Sequence, residues 1–389
     1  MKFGWLGVVL IAVSLSLLLS CASNSTSSTN TMYVATQNAA QIWGYRANFN
    51  NGQLSTINGS PFSAQAGSSA IVIDPAKSFA YVSGFDSDQS VNAYDIQSFS
   101  CDTNGSLVTV GKTGPLTTNP SFPITAMAMD SGGKFLFVAN QGLGINPGSI
   151  SVFSIGSDAS LTEVAGSPFP VPPNVPVPGA IPILTGLAVQ STLNMLYVTD
   201  QTDNYVLIYQ YDPTTGALAT YPQLNMPPVP TGSSPSAVAI NPLGTFLYVA
   251  NQASNNISGF TIDTTTPNNL GNLASISGSP FGAGTQPVSA AVDPSGQFLY
   301  VVDQGSNQIS GYKIAPVDGK LAVVTGSPFS TGQGPAFVSI SPTNKFLYVS
   351  NNTAGTISGF GIDPTSGTLS AVSATVTTGA QPVGIAFGK

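Results

Sequence analysis

A chain of 389 residues with 41 glycines, 30 prolines and only 6% charged residues has the composition of turn-rich β-structure, not of a helical bundle or a disordered polyelectrolyte. The formal charge is −7, Arg46 is the single arginine and there is no histidine. This balance argues against nucleic acid or anionic lipid as a partner of the folded part, and it removes the commonest general base.

The chain opens with Lys2, an apolar run from Gly4 to Leu19, and Ser20-Cys21. A charged start, a short apolar stretch and small residues make a secretory leader, predicted over residues 1–20. Leu18-Leu19-Ser20-Cys21 resembles a bacterial lipobox, with Leu19 where a small residue is usual. That resemblance implies a diacylated Cys21 and an exported protein attached to a membrane by lipid. Residues 21–31 (CASNSTSSTNT) carry almost nothing to bury and are expected to be a flexible tether. With Cys21 acylated, Cys101 has no partner for an internal disulfide, and its polar surroundings suggest an exposed thiol.

From Met32 onward an aromatic-Val pair recurs seven times, at Tyr33, Tyr81, Phe137, Tyr197, Tyr248, Tyr300 and Tyr348. The clearest copy, from Pro287, predicts four short strands: Val288 to Val292, Phe298 to Val302, Gln308 to Ile314 and Leu321 to Val324. Turn residues Asp293-Pro294-Ser295-Gly296 and Asp318-Gly319 separate strands within it. Four antiparallel strands repeated about every 50 residues describe a β-propeller blade. The first copy starts at its second strand, whereas Gln381 to Phe387 is a lone first strand. An all-β, seven-bladed propeller over residues 32–389 is therefore predicted, closed by the C-terminal strand pairing into the first blade. Gly-Ser-Pro-Phe recurs at Gly59, Gly166, Gly278 and Gly326, and its Phe is expected to pack between blades. Two proline-rich stretches, Pro170 to Pro182 and Met226 to Pro230, read either as a partner-binding lip or as braces for wider blades.

These units resemble YVTN repeats and the seven-bladed lactonase family, whose bacterial members are similar to 6-phosphogluconolactonase. The resemblance implies hydrolysis of a sugar lactone or a related cycloisomerisation. Family members with a proposed mechanism are thought to use His, Arg and Glu in the channel, and none can be carried over: histidine is absent, Arg46 falls in a third strand and Glu163 in an outer one.

Three residues past each aromatic lie Thr36, Gly84, Asn140, Asp200, Asn251, Asp303 and Asn351. The next positions are Gln37, Phe85, Gln141, Gln201, Gln252, Gln304 and Asn352. They are expected to form polar rings near the channel mouth, either reading a ligand or satisfying loop backbone. Asp200 and Asp303 are the only charges in them and the candidate acid-base residues. Asp86, Asp88, Ser90 and Asn92 have calcium-loop spacing, but Val91 and Gln97 replace the required Gly and Glu, so no metal site is assigned. Gly111-Lys112-Thr113 lacks the spacing and the following helix of a phosphate loop, and no G-x-S-x-G elbow occurs. No cofactor is implied, and a closed ring is expected to be a monomer. A binding or interaction module on the membrane surface, for an envelope protein or a carbohydrate, is the reading that the residue types favour. An extracytoplasmic lactonase is the alternative.

Overall fold

The computed structural model describes residues 29–76, 78–86, 93–112, 123–142, 146–171, 181–220, 226–372, 375–379 and 381–388. The leader, Cys21 and most of the tether lie outside these residues, as do Asp88, Ser90, Asn92 and most of the Pro170 to Pro182 stretch.

Seven antiparallel sheets follow one another along the chain, each ordered from inner to outer strand. In the sixth blade the strands are Pro287–Val292, Phe298–Asp303, Gln308–Ile314 and Leu321–Val323. The second strands are buried along their whole length, as in Phe246–Asn251, Phe298–Asp303 and Phe346–Asn351. Both faces of these strands meet a neighbouring blade, so they read as continuous apolar runs. The core is accordingly divided among the seams. Tyr248, Leu299, Val301 and Tyr312 fill the one between the fifth and sixth blades, for example.

The ring closes as expected. Pro382–Phe387 is the inner strand of the first blade and pairs with Thr29–Thr36, with Met32 opposite Phe387 and Val34 opposite Ile385. The strand begins within the expected tether: Thr29, Asn30 and Thr31 pair with Asn48, Ala47 and Arg46.

The Gly-Ser-Pro-Phe motif also adds a strand to its blade. Phe329–Ser330 is a short extra strand that returns to pair with Gln308 and Ile309. The serine hydroxyls of Ser60, Ser279 and Ser327 accept hydrogen bonds from the third-strand amides of Gly44, Gly259 and Gly311, each at 2.9 Å. Phe62, Phe169, Phe281 and Phe329 pack into interblade clusters. In the fourth blade Val229–Pro230 takes the place of this strand, with Met226 buried and Val229 packed between blades. This proline-rich stretch is a brace.

The repeated tyrosine is a latch. The hydroxyls of Tyr33, Tyr197, Tyr248, Tyr300 and Tyr348 donate to the carbonyls of Gly105, Gly271, Gly319, Gly367 and Gly52 at 2.7–2.8 Å. Each acceptor glycine lies in the turn before the outer strand of the next blade, at positive φ. Phe137 has no hydroxyl to offer, and the buried Tyr81 hydroxyl has no partner. Tyr300→Phe should therefore cost about 1–2 kcal/mol, whereas Tyr81→Phe should be neutral or slightly stabilising. Denaturant midpoints of the two variants check this. Equal losses would mean that the hydroxyl contacts do not differ.

Cys101 ends the third strand of the second blade instead of lying in a loop, and it is half-buried beside Tyr33.

Candidate functional site

The inner strands of all seven blades surround a central cavity of about 340 Å³. They are small-residue strands because seven backbones converge there. In the third, fifth, sixth and seventh blades a register shift near the mouth inserts one extra residue, namely Thr125, Ser236, Val288 and Ala336. In the fourth blade the shift spans Thr185 and Gly186. Such bulges turn a side chain out of the pleat, and all of these residues line the cavity.

Four of the five cavity hydroxyls are engaged as donors, and the fifth, Ser289 Oγ, accepts the Val338 amide at 3.2 Å. Thr185 Oγ1 reaches the Pro235 carbonyl at 2.8 Å, and Ser236 Oγ the Pro287 carbonyl at 2.8 Å, each crossing to the next blade. Ser69 Oγ bonds the Ile124 carbonyl in the same manner, and Thr125 Oγ1 bonds the Ala139 carbonyl at 3.2 Å. No charged and no nitrogen-bearing side chain lines the cavity among the described residues. Phe337 projects into it, 38% exposed, and is the sole aromatic of the lining.

The polar positions read from the repeat lie at the tops of the seams. Asn140, Asp200, Asn251, Asp303 and Asn351 end their second strands and are buried. Asn140 Nδ2 donates to Ser149 and Ser151 Oγ at 3.2 and 2.9 Å. Asn251 Nδ2 donates to Asn256 Oδ1 at 2.8 Å and Ser258 Oγ at 3.0 Å, and Ser258 in turn accepts the Gly232 amide of the interblade link. Asn351 makes the equivalent pair with Thr356 and Ser358. Asp303 Oδ2 accepts from Ser310 Oγ at 2.6 Å. The link glycines are required at this point. A Cβ on Gly232 or Gly332 would stand 2.7 Å from the Asn251 or Asn351 side chain. Asn251 and Asn351 thus clamp the links through Ser258 and Ser358, and none of the five lines the cavity. The backbone amides of Gln141, Gln201, Gln252 and Gln304 bond the carbonyls of Pro123, Ile183, Ser234 and Gln286, which leaves their side chains half-buried on the mouth face. Thr36 bonds the Gln41 carbonyl, and at Gly84 the space is filled by Gln65, whose Nε2 reaches Asp95 at 3.1 Å. Arg46 bonds the Asn104 carbonyl and Glu163 accepts from Ser167, both away from the channel.

Two carboxyl groups are held near neutrality. Burial, reinforced by the charge of Asp203, pushes Asp200 up to about 7. Burial pushes Asp303 up to about 6. Asp203, on the mouth-face turn and also raised by burial, is in contact with Asp200. The fold therefore favours the protonated form of Asp200. Its contribution is fully present below the ordinary carboxylate value, is lost as pH rises toward about 7, and stays lost above. Asp200→Asn keeps the oxygen that accepts the Thr202 amide and turns an N–H toward Asp203. It should stabilise the protein at pH 8 by on the order of 2 kcal/mol and leave it unchanged at pH 4. Melting curves at the two pH values check this.

A channel built from seven inner strands, with tyrosine latches between blades, defines a seven-bladed β-propeller. The family model described as "Lactonase, 7-bladed beta-propeller" matches residues 186–328 and 323–389, just over half of the chain. The chain belongs to this family. No curated protein sequence matches it. Among solved structures it is similar to a putative 6-phosphogluconolactonase of Bacteroides uniformis, at 19% identity and a TM-score of 0.77 over 92% of this chain and 99% of that one. A second such protein, from Bacteroides fragilis, is 21% identical with a TM-score of 0.77 over 94% and 99% of the two chains. The periplasmic gluconolactonase PpgL of Pseudomonas aeruginosa is 20% identical with a TM-score of 0.74 over 93% and 99%. At these identities the likeness concerns the fold.

Proposed function

We propose that the chain hydrolyses a sugar lactone at the mouth of its central channel. Membership of the lactonase family carries this reading. Lactone opening needs water to attack the ring carbonyl, a base to accept the water proton, and a proton for the departing ring oxygen. No carboxylate lines the cavity among the described residues. The mouth face offers Asp203, in contact with Asp200. Asp203 can accept the water proton, and Asp200, pushed up to about 7, can return one. Asp303 is the second candidate, in a separate blade.

The test is turnover of a panel of sugar lactones above the spontaneous rate, with wild type against Asp203→Asn and an Asp200→Asn/Asp303→Asn variant. Loss of turnover in folded variants supports the reading. A second reading, a binding module without turnover, is favoured by the uncharged cavity lining. Saturable binding with no turnover would select it.

The leader and lipobox-like segment support export and acylation at Cys21. Among the described residues no helix is long and apolar enough to cross a membrane. Cys21→Ala should shift the protein from the membrane to the soluble fraction and abolish lipid labelling. Equal membrane retention would refute acylation as the anchor.

A further inference from the structure

The cavity has a chemical polarity that the family alone does not specify. Its side-chain oxygens at Ser69, Thr125, Thr185 and Ser236 have spent their protons on backbone carbonyls. What these four present to a ligand is lone pairs, and the fifth hydroxyl, Ser289, is buried and accepts the Val338 amide. A hydroxyl-rich ligand can donate to such oxygens, whereas a phosphate or carboxylate meets acceptors with acceptors. No lysine or arginine stands in the lining to compensate, and burying an unpaired anion there would be costly. The exposed ring of Phe337 adds an apolar plate on one wall, suited to the C–H face of a pyranose.

We infer that the channel takes an uncharged, unphosphorylated polyol ring, stacked on Phe337, and rejects both the phosphorylated lactone and the ring-opened acid. The inference rests on the lactone reading for its substrate class. Within it, the neutral substrate is admitted, and the carboxylate left by hydrolysis is expelled by the same oxygens.

Binding and turnover separate the two proposals. Calorimetric titration of the full-length chain uses three probes: 1,5-anhydroglucitol as the neutral ring, gluconate as the carboxylate and 6-phosphogluconate. The neutral ring should bind at least about tenfold more tightly than either anion, the consequence of one unpaired charge. Phe337→Ala should weaken it by about tenfold, the loss of one ring contact, and Phe337→Tyr should restore it. An unchanged melting temperature shows that Phe337→Ala is folded; if it is not, Phe337→Leu replaces it. Anions bound as tightly as the neutral ring, no binding by any probe, or indifference to Phe337 would each overturn the inference. A chain that binds the neutral ring and opens no lactone would lose the hydrolase reading and keep this one. A chain that opens 6-phosphogluconolactone and binds 6-phosphogluconate best would do the reverse.

Discussion

Deleting Pro382 to Lys389 should cost at least about 5 kcal/mol and yield dimers or aggregates. The segment supplies a whole inner strand. Ile385 is buried against Met32, Val34 and Tyr348, and Phe387 lies 5.9 Å from the Tyr348 ring. Val383 and Ala386 pack on the other side, against the second blade. The carbonyl of Val383 also accepts the Ser350 hydroxyl at 2.7 Å, which ties the seventh blade to the first. Removal therefore opens two seams and leaves Thr29–Thr36 as an exposed edge. Chemical denaturation and size-exclusion chromatography read the outcome. A truncated chain that melts and elutes like its parent would show that the ring does not need this strand.

Gly319→Ala should be strongly destabilising, at about 3 kcal/mol or more. Gly319 sits at φ +71, and its new Cβ would stand 2.6 Å from Phe246 Cδ1 and 2.8 Å from Ile276 Cδ1. The backbone conformation penalises any L side chain, and the neighbours are buried and cannot retreat. The same shift would displace the carbonyl that holds the Tyr248 hydroxyl. Gly282→Ala is the control, since nothing lies within 4 Å of its Cβ and its φ is not positive. Comparable losses in the two variants would remove the close approach as the cause.

The repeat was legible because its signals are local. Tyr-Val pairs, Asp-Pro-Ser-Gly turns and a lone final strand at Gln381 to Phe387 each specify an element from adjacent residues. The third strand Gln308–Ile314 was bounded to the residue, and the neighbouring strands to within one. Contacts between blades were not legible. That the tyrosine hydroxyl meets a glycine carbonyl 67–74 residues later depends on how blades stack. The site shows the same division. Spacing located Asn140, Asp200, Asn251, Asp303 and Asn351 as equivalent positions, but the side each faces is set by strand pairing. The cavity-lining residues sit at inner-strand bulges such as Ser236, which displace the simple alternation by one residue. Phe337 carries a sequence signal: it and Phe387 are the two aromatics within inner strands otherwise built largely of small residues, and of the two only Phe337 lines the cavity.

The most direct measurement is a crystal structure of the full-length chain soaked with a neutral sugar lactone analogue. The account predicts density inside the channel, with the sugar ring against Phe337 and its hydroxyls on the oxygens of Thr185 and Ser236. An analogue seated outside the channel, or a phosphorylated sugar held there by a basic side chain, would contradict it.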